Sequence, residues 1–204
     1  MKRILFTAAV IWVATASGAH PAGAAAPRAA ISTLKADFVM TRRVSVLKQD
    51  LTSRGHLALG GEGRLRFETE HPSRSVLVIN GGKGWLHYPE LGVTKTFDAT
   101  SDPVMKLMSE QLAALTKGDF DALKKVYDIE DTTPGIKTLV PIDPNIKKLF
   151  KALEVSLQAE GVVTEVALIS QNGDTTRIQF RNAVFNAPLP PALFDAPGDT
   201  KGPP

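Results

Sequence analysis

The side chains able to do chemistry are few and scattered along the chain. Four histidines are present: His20, His56, His71 and His87. None of them has the spacing of a metal-ligand pair. There is no cysteine and no G-x-S-x-G sequence to supply a nucleophile. The acidic run from Asp128 to Asp131 is typical of a solvated strand end. The sequence therefore predicts a protein that is not an enzyme and uses no metal or other cofactor.

Apolar binding is the second kind of chemistry to consider. In "RLRFETE", Leu65 and Phe67 point to one side, and Arg64 and Arg66 point to the other. This alternation predicts β-strands with one apolar face. From periodicity alone, each such residue is more often core than ligand-contacting. For the two large aromatic residues of the set, Trp85 and Tyr88, the two roles are equally open. The strand candidates for an apolar site are Phe38, Met40, Leu57, Leu59, Leu65, Phe67, Val76, Val78, Trp85, Tyr88, Ile178 and Phe180.

One helical pattern interrupts the strands. Asp102 is a good N-cap, Pro103 suits the first helical turn, and Gly118 suits the position after the last one. The apolar stripe between them is Val104, Met105, Leu107, Met108, Leu112 and Leu115. On the opposite side, Gln111 is expected to face water. Because methionine is unbranched and polarizable, it suits an adaptable apolar wall. Met105, Met108 and Leu112 therefore join the candidate binding set.

The order of elements predicts the fold class. A short helix is expected before an extended segment at Phe38–Val46, and further strands follow on both sides of the inserted helix. Asn80-Gly81 and Asn172-Gly173 are strong hairpin signals. A long sheet with one apolar face must cover that face. We expect a mainly β fold with some α-helix: an incompletely closed antiparallel β-barrel, or half-barrel, covered by a helical lid.

The N-terminus has the pattern of an export signal. Lys2-Arg3 precedes an apolar stretch, Ile4–Ala14, which is followed by small residues. We expect a signal peptide over residues 1–26, cleaved between Ala16 and Ala26, and a single domain over residues 27–204. Without a cysteine, the mature chain has no site for a lipid anchor at its start. The formal charge of +3 would fall to about +1 after cleavage, which gives no basis for nucleic-acid binding.

Four segments together resemble a known family. They are "ADFVMTR", "SRGHLAL", "RLRFETEHPSRSVLVINGGKGWLHYPE" and "NGDTTRIQFRNAVFNAPLPPALFDAP", in order between Lys35 and Pro197. The chain resembles the LolA family of periplasmic lipoprotein carriers. Its most specific part is Leu65–Tyr88, with Pro72 and Asn80-Gly81 at matching places. The resemblance implies an unclosed barrel with a helical lid that holds acyl chains inside.

The same resemblance implies a function. It indicates a soluble, monomeric periplasmic carrier that moves an acylated lipoprotein or lipid from the inner to the outer membrane. The partners would be an inner-membrane donor transporter and an outer-membrane acceptor. The related LolB receptor is anchored through a cysteine, which this chain lacks.

The chain departs from the family at one turn. The family usually has an arginine followed by a proline there, and the arginine helps to hold the lid shut. Here the place reads Gly60-Gly61-Glu62-Gly63, while Arg64 and Arg66 alternate away from the apolar face. A glycolipid or polyene-type lipid of a dedicated export system is therefore an alternative cargo.

Docking through an exposed strand edge is a further possibility, and it is compatible with carriage. The basic residues that could steer such docking are Arg42, Arg43, Lys147, Lys148 and Lys151. They are equally consistent with ordinary solvated surface.

Overall fold

The structure is a computed structural model that describes residues 31–47, 49–98, 119–158 and 161–197, with the single residues 101, 111 and 114. The expected signal peptide, residues 1–26, lies outside these ranges. So does most of the predicted lid helix, including its three candidate binding residues Met105, Met108 and Leu112.

Strands dominate the described residues. The eleven strands are β1 Leu34–Arg43, β2 Leu51–Leu59, β3 Leu65–His71, β4 Ser75–Asn80, β5 Lys83–Tyr88, β6 Val93–Asp98, β7 Tyr127–Thr133, β8 Ile136–Pro141, β9 Phe150–Leu157, β10 Val163–Ser170 and β11 Thr175–Phe185. Two short helices are α1 Phe120–Leu123 and α2 Pro144–Leu149, and 3₁₀ turns occur at Gly61–Gly63, Pro89–Leu91 and Pro191–Phe194. No helix within the described ranges has the length and apolar character needed to cross a membrane.

All eleven strands form one antiparallel sheet. Their order is β6-β5-β4-β3-β2-β1-β11-β10-β9-β8-β7, so the first and last strands of the chain pair in the middle. Strands β6 and β7 are the two edges, and the described sheet is open between them. This confirms the mainly β, incompletely closed antiparallel class. The two helices that the described ranges contain in full, α1 and α2, are short, and the helical lid stays a prediction.

The tight turns confirm both hairpin signals. Asn80 pairs with Lys83 across a two-residue loop, and Gly81 and Gly82 both have positive φ, 56° and 84°. Two consecutive left-handed residues are the requirement of a type I′ turn, whose twist matches that of the flanking strands. Gly173, with φ of 86°, turns the chain between β10 and β11.

The start of β1 corrects one expectation. The short helix predicted before Phe38 is wrong from Leu34 onward, since β1 begins there. In this stretch Leu34, Ala36 and Phe38 are buried on one side, and β1 pairs with strands on both of its edges. Tertiary pairing of this kind overrides the weak helix propensity of an alanine-containing segment.

Candidate functional site: an apolar face of the sheet

The register of the strands assigns each apolar residue to one of two faces. Leu57 is opposite Phe67, and Phe67 is opposite Leu77, so the three side chains share one face. We call the face that carries Phe38, Leu57 and Phe67 the front face. The intervening positions, such as Ala58 and Val78, belong to the back face.

The front face of β1–β4, β6 and β11 carries one apolar cluster. Its buried members are Leu34, Ala36, Phe38, Leu57, Leu59, Leu65 and Ile79, and the half-buried residues packed on them are Met40, Phe67, Leu77, Phe97, Ile178, Phe180 and Phe185. At its centre the rings of Phe38 and Phe67 are stacked, with centroids 4.2 Å apart. The structure therefore brings together eight of the predicted site residues: Phe38, Met40, Leu57, Leu59, Leu65, Phe67, Ile178 and Phe180.

The backbone under this cluster is tightly packed. Gly55 lies directly opposite Phe38 in the β1–β2 register. A Cβ atom at Gly55 would lie 1.9 Å from the carbonyl oxygen of Glu68 on β3. Only glycine allows the two strands to approach this closely.

Exposure on this part of the front face is graded along the strands. On β1, Phe38 is 1% exposed, whereas Met40 further along is half-buried. On β4, Ile79 is buried, whereas Leu77 is half-buried. Strand β1 runs toward the end at which the β1–β2 hairpin turns, and β4 runs away from that end, so Met40 and Leu77 both lie on the hairpin side of their buried neighbours. On these two strands the apolar front face becomes more accessible toward that end.

The front face of the C-terminal strands is filled by the protein's own side chains. Its cluster centres on Tyr127, Leu139 and Val155, which are almost fully buried. Leu123 of α1 and Ile146 of α2 pack on it. Phe180 packs against both this cluster and the first one, so the two form a continuous apolar surface.

The described part of the predicted lid helix corrects another expectation. Gln111 is helical and only 8% exposed, although its position on the helix predicted a water-facing side chain. The Tyr127 hydroxyl donates a hydrogen bond to the Gln111 side-chain oxygen. Burial raises the pKa of Tyr127. A buried hydroxyl needs a partner, and Gln111 supplies it. Ala114, one turn later, also packs on the C-terminal cluster.

Three predicted site residues lie on the back face. Val76, Val78 and Trp85 pack with Ala58 and Phe194. They are separated from the front cluster because β4, "SVLVIN", is apolar at consecutive positions and is covered on both sides. Its front residues are Leu77 and Ile79, which the sequence analysis omitted. Cross-strand register with Phe67 and Leu65 is the signal that identifies them.

The two aromatic residues of β5 face opposite ways. Trp85 is opposite Val78 and therefore on the back face. Tyr88 alternates with it and lies on the same side as Leu86, which is opposite Leu77. By register Tyr88 belongs to the front face, where it is half-buried.

The C-terminal segment covers the apolar part of the back face. Phe194 is 0% exposed, and the Asn80 side-chain amide donates to its carbonyl oxygen at 3.1 Å. The Arg64 guanidinium lies over the Phe194 ring, 5.2 Å from its centroid. Arg66 pairs with Glu68 at 2.7 Å. Both arginines thus point away from Leu65 and Phe67, as the alternation predicted.

Charged groups also gather on the back face. The His56 ring nitrogens lie 2.7 Å from an Asp37 oxygen and 3.3 Å from a Glu70 oxygen. Hydrogen bonds from the Asn182 amide and from His56 lower the pKa of Asp37. A search of the described side chains finds no group of three or more His, Cys, Asp or Glu residues placed to hold a metal ion. The site that the geometry favours is therefore the apolar front face.

A comparison with models of protein families identifies the family to which the chain belongs. The model of the family described as "Outer membrane lipoprotein carrier protein LolA" matches residues 29–197. This chain belongs to the LolA family. The match includes every strand described above and the C-terminal segment that holds Phe194.

Individual relatives agree with this assignment. An outer-membrane lipoprotein carrier protein of Pseudomonas aeruginosa strain UCBPP-PA14 is 28% identical over 94% of this chain and 92% of its own length. One from Coxiella burnetii strain RSA 331 is 26% identical over 70% of this chain and 66% of its own length. This chain therefore spans slightly less than two thirds of the Coxiella relative. Among solved structures, a LolA superfamily protein of Nitrosomonas europaea is 8% identical, with a TM-score of 0.42 over 80% of this chain and 90% of that one.

Proposed function

We propose that this LolA family member is a periplasmic carrier that holds the acyl chains of a lipidated cargo on its front face. It would accept the cargo at the inner membrane and release it at the outer membrane. The observation that carries the proposal is the graded exposure of the front cluster. Large apolar side chains such as Met40, Phe67 and Leu77 are half-buried on a face whose deeper residues are fully packed.

The physics of lipid transfer explains why such a surface is useful. Each acyl CH₂ removed from water contributes about 0.8 kcal/mol, so a lipid with two or three chains does not leave a bilayer unaided. A carrier needs an apolar surface that accepts the chains and then releases them. Half-buried aromatic and aliphatic residues around the stacked pair Phe38–Phe67 suit this requirement better than a closed core would.

The predicted helix is proposed to cover the bound chains. Gln111 and Ala114 support this because they contact the C-terminal cluster of the front face. On the predicted helix, Met108 lies one turn before Gln111, and Met105 and Leu112 belong to the apolar stripe. We propose that these three residues contact the cargo together with the front-face set, whereas Val76, Val78 and Trp85 do not.

The contacts of Arg64 and Arg66 leave neither side chain on the front face to hold the predicted lid helix. Arg64 is engaged with the Phe194 ring, and Arg66 with Glu68, all on the back face. The turn before β3 reads Gly60-Gly61-Glu62-Gly63 and has neither the arginine nor the proline that the family usually places there. We therefore propose that closure depends on apolar packing and on the Gln111–Tyr127 hydrogen bond. An acylated lipoprotein is the first candidate cargo, and a glycolipid or polyene-type lipid is the alternative.

A matched pair of variants on β1 tests the proposal. Met40 and Val39 are neighbours, both half-buried, and they face opposite sides of the sheet. Lipid bound to the protein recovered from the periplasm would be extracted and measured by mass spectrometry. Met40→Glu should lower bound lipid by at least about tenfold, because placing a charge against acyl chains costs well over 1.4 kcal/mol. Val39→Glu should retain it.

The same measurement identifies the cargo and separates the functional classes. Acyl chains linked to protein would indicate a lipoprotein, and free lipid would indicate the alternative. A wild-type protein recovered without lipid, or equal lipid contents in the two β1 variants at equal folded yield, would contradict the carrier proposal. An enzyme would be recovered empty and would turn over an ester or glycoside substrate.

A further inference from the structure

The connections between strands place five segments at one end of the sheet. In an antiparallel meander, alternate turns lie at the same end. The register puts the β1–β2 hairpin, the β3–β4 and β5–β6 turns, the β10–β11 turn and the β8–β9 connection on one side. We call this end the hairpin rim. It is also the end toward which the front face of β1 and β4 becomes more accessible.

Exposed apolar side chains concentrate on the hairpin rim. At the β1–β2 hairpin, Val46 is 85% exposed, and Leu47 and Leu51 are about half exposed. At the β5–β6 turn, Leu91 is 74% exposed, and Val93 follows it. Isolated exposed apolar residues are normal, but a set that shares one end of a molecule indicates an interaction surface.

The β8–β9 side of the rim continues the pattern. Val140 and Ile142 are exposed next to α2. Among the described residues, the other large hydrophobic side chain of comparable exposure is Val184, at 52%, near the opposite end of the sheet. The distribution is therefore strongly asymmetric between the two ends.

Basic residues flank these apolar side chains. Arg42 and Arg54 are exposed at the β1–β2 hairpin, and Lys147, Lys148 and Lys151 are exposed at and after α2. Apolar side chains with arginine or lysine beside them are the combination that binds the interface of an anionic bilayer. The charge pattern thus favours a lipid surface over a second apolar protein surface.

The hairpin tip is held in place by a neighbouring turn. The backbone N–H and the hydroxyl of Ser45 donate to one Asp174 oxygen at 2.8 and 2.9 Å. Arg43 pairs with Asp50 across the hairpin at 3.0 Å. These contacts anchor the base of the tip while Val46 and Leu47 remain exposed. The hairpin would therefore lose little conformational freedom when its tip inserts into a bilayer.

We propose that the hairpin rim docks on the surface of an anionic lipid bilayer, with Val46, Leu47 and Leu91 inserted into the interface. Docking in this orientation would bring the accessible end of the front face to the membrane. Acyl chains could then pass between bilayer and protein over a short distance. The proposal goes beyond carriage, because the rim would bind lipid vesicles whatever the cargo is.

Vesicle binding tests the proposal. The processed protein, recovered from the periplasm, would be floated with phosphatidylcholine vesicles that contain or lack phosphatidylglycerol. We expect binding to the anionic vesicles that weakens with added salt. The double variant Val46→Asp, Leu47→Asp should bind at least about tenfold more weakly, since two carboxylates replace the inserting side chains. Val184→Asp, at the other end of the sheet, is the matched control and should bind like the wild type.

The outcomes separate this proposal from the carrier proposal. The hairpin double variant should keep the wild-type thermal unfolding temperature and should bind lipid supplied in detergent micelles as the wild type does, because its changes are on exposed residues outside the front cluster. Absence of wild-type binding to either vesicle, or equal losses in the hairpin and Val184 variants, would overturn docking on lipid and leave a protein partner as the occupant of the rim. Met40→Glu, in contrast, should lose cargo lipid and still bind vesicles.

Discussion

The two faces of strand β4 are built from similar residues and end in different states. Leu77 and Val78 are neighbours on β4, yet Val78 is fully buried and Leu77 is only half-buried. The back face is covered by Phe194 from the C-terminal segment, which fits between the strands and is anchored by Asn80 and Arg64. An apolar face becomes core when the chain supplies a fitted cover for it. The front face of these strands retains accessible apolar surface.

The front face also has two parts that differ in how fully they are packed. Its C-terminal part is filled by Leu123 and Ile146 from the two short helices. Its N-terminal part ends in the half-buried residues Met40, Phe67 and Leu77. Stability and cargo binding should therefore depend on different side chains, and substitutions can separate the two.

The largest effect is expected for Phe194→Ala on the back face. Removing a fully buried phenylalanine should lower the free energy of unfolding by about 3–5 kcal/mol. Chemical denaturation measures this change. Lipid content per folded molecule should be unchanged, because Phe194 does not contact the front cluster. A Phe194→Ala variant with wild-type stability but without bound lipid would mean that the back face, and not the front face, binds the cargo.

Phe67→Ala is the corresponding change on the front face. Because Phe67 is half-buried, we expect a smaller loss of stability, about 1–3 kcal/mol, below the range for fully buried aromatic residues. Bound lipid, measured by mass spectrometry, should fall more than stability does. A destabilisation equal to that of Phe194→Ala, with lipid retained, would mean that the front face is ordinary core.

Arg64→Gln tests whether Arg64 belongs only to the back face. Losing its contact with the buried Phe194 ring should lower the free energy of unfolding by about 0.5–2 kcal/mol, the range between exposed and desolvated cation–π pairs. Lipid content should stay at the wild-type level. Loss of lipid with unchanged stability would instead mean that Arg64 helps to hold the lid shut, as the arginine of the family's turn does.

The smallest effect concerns the charges of the back face. The pKa of Asp37 is lowered from its ordinary value of 3.8 by Asn182 and His56. A lowered pKa in the folded state means that the carboxylate stabilises the protein above pH 3.8 and that this contribution is lost as the pH falls through the folded-state pKa. Asp37→Asn should therefore be less stable than wild type at pH 7, and the difference should be smaller at pH 3. Thermal unfolding at both values checks this, and a difference that grows on acidification would contradict it.

Much of the local structure could be predicted from neighbouring residues. The positive φ values at Gly81, Gly82 and Gly173 follow from turn chemistry that acts within a few residues. The separation of Leu65 and Phe67 from Arg64 and Arg66 follows from the two-residue period of a strand. Eight of the twelve strand residues proposed for the site, those named with the front cluster above, lie together because the same period operates on β1, β2, β3 and β11.

Other features depended on residues far apart in the chain. The apolar run of β4 offers two faces, and Phe194, from more than a hundred residues away, packs on Val76 and Val78 and makes them core. Likewise, Gln111 has a polar side chain that the helical pattern assigns to water, and it is buried because Tyr127 needs an acceptor. The sequence by itself determined the strands, their turns and their two-sided pattern, since these arise from local sterics and alternation. Which face is covered, and which keeps accessible apolar surface, was decided by the tertiary structure, because burial depends on what packs against a face and not on the face alone.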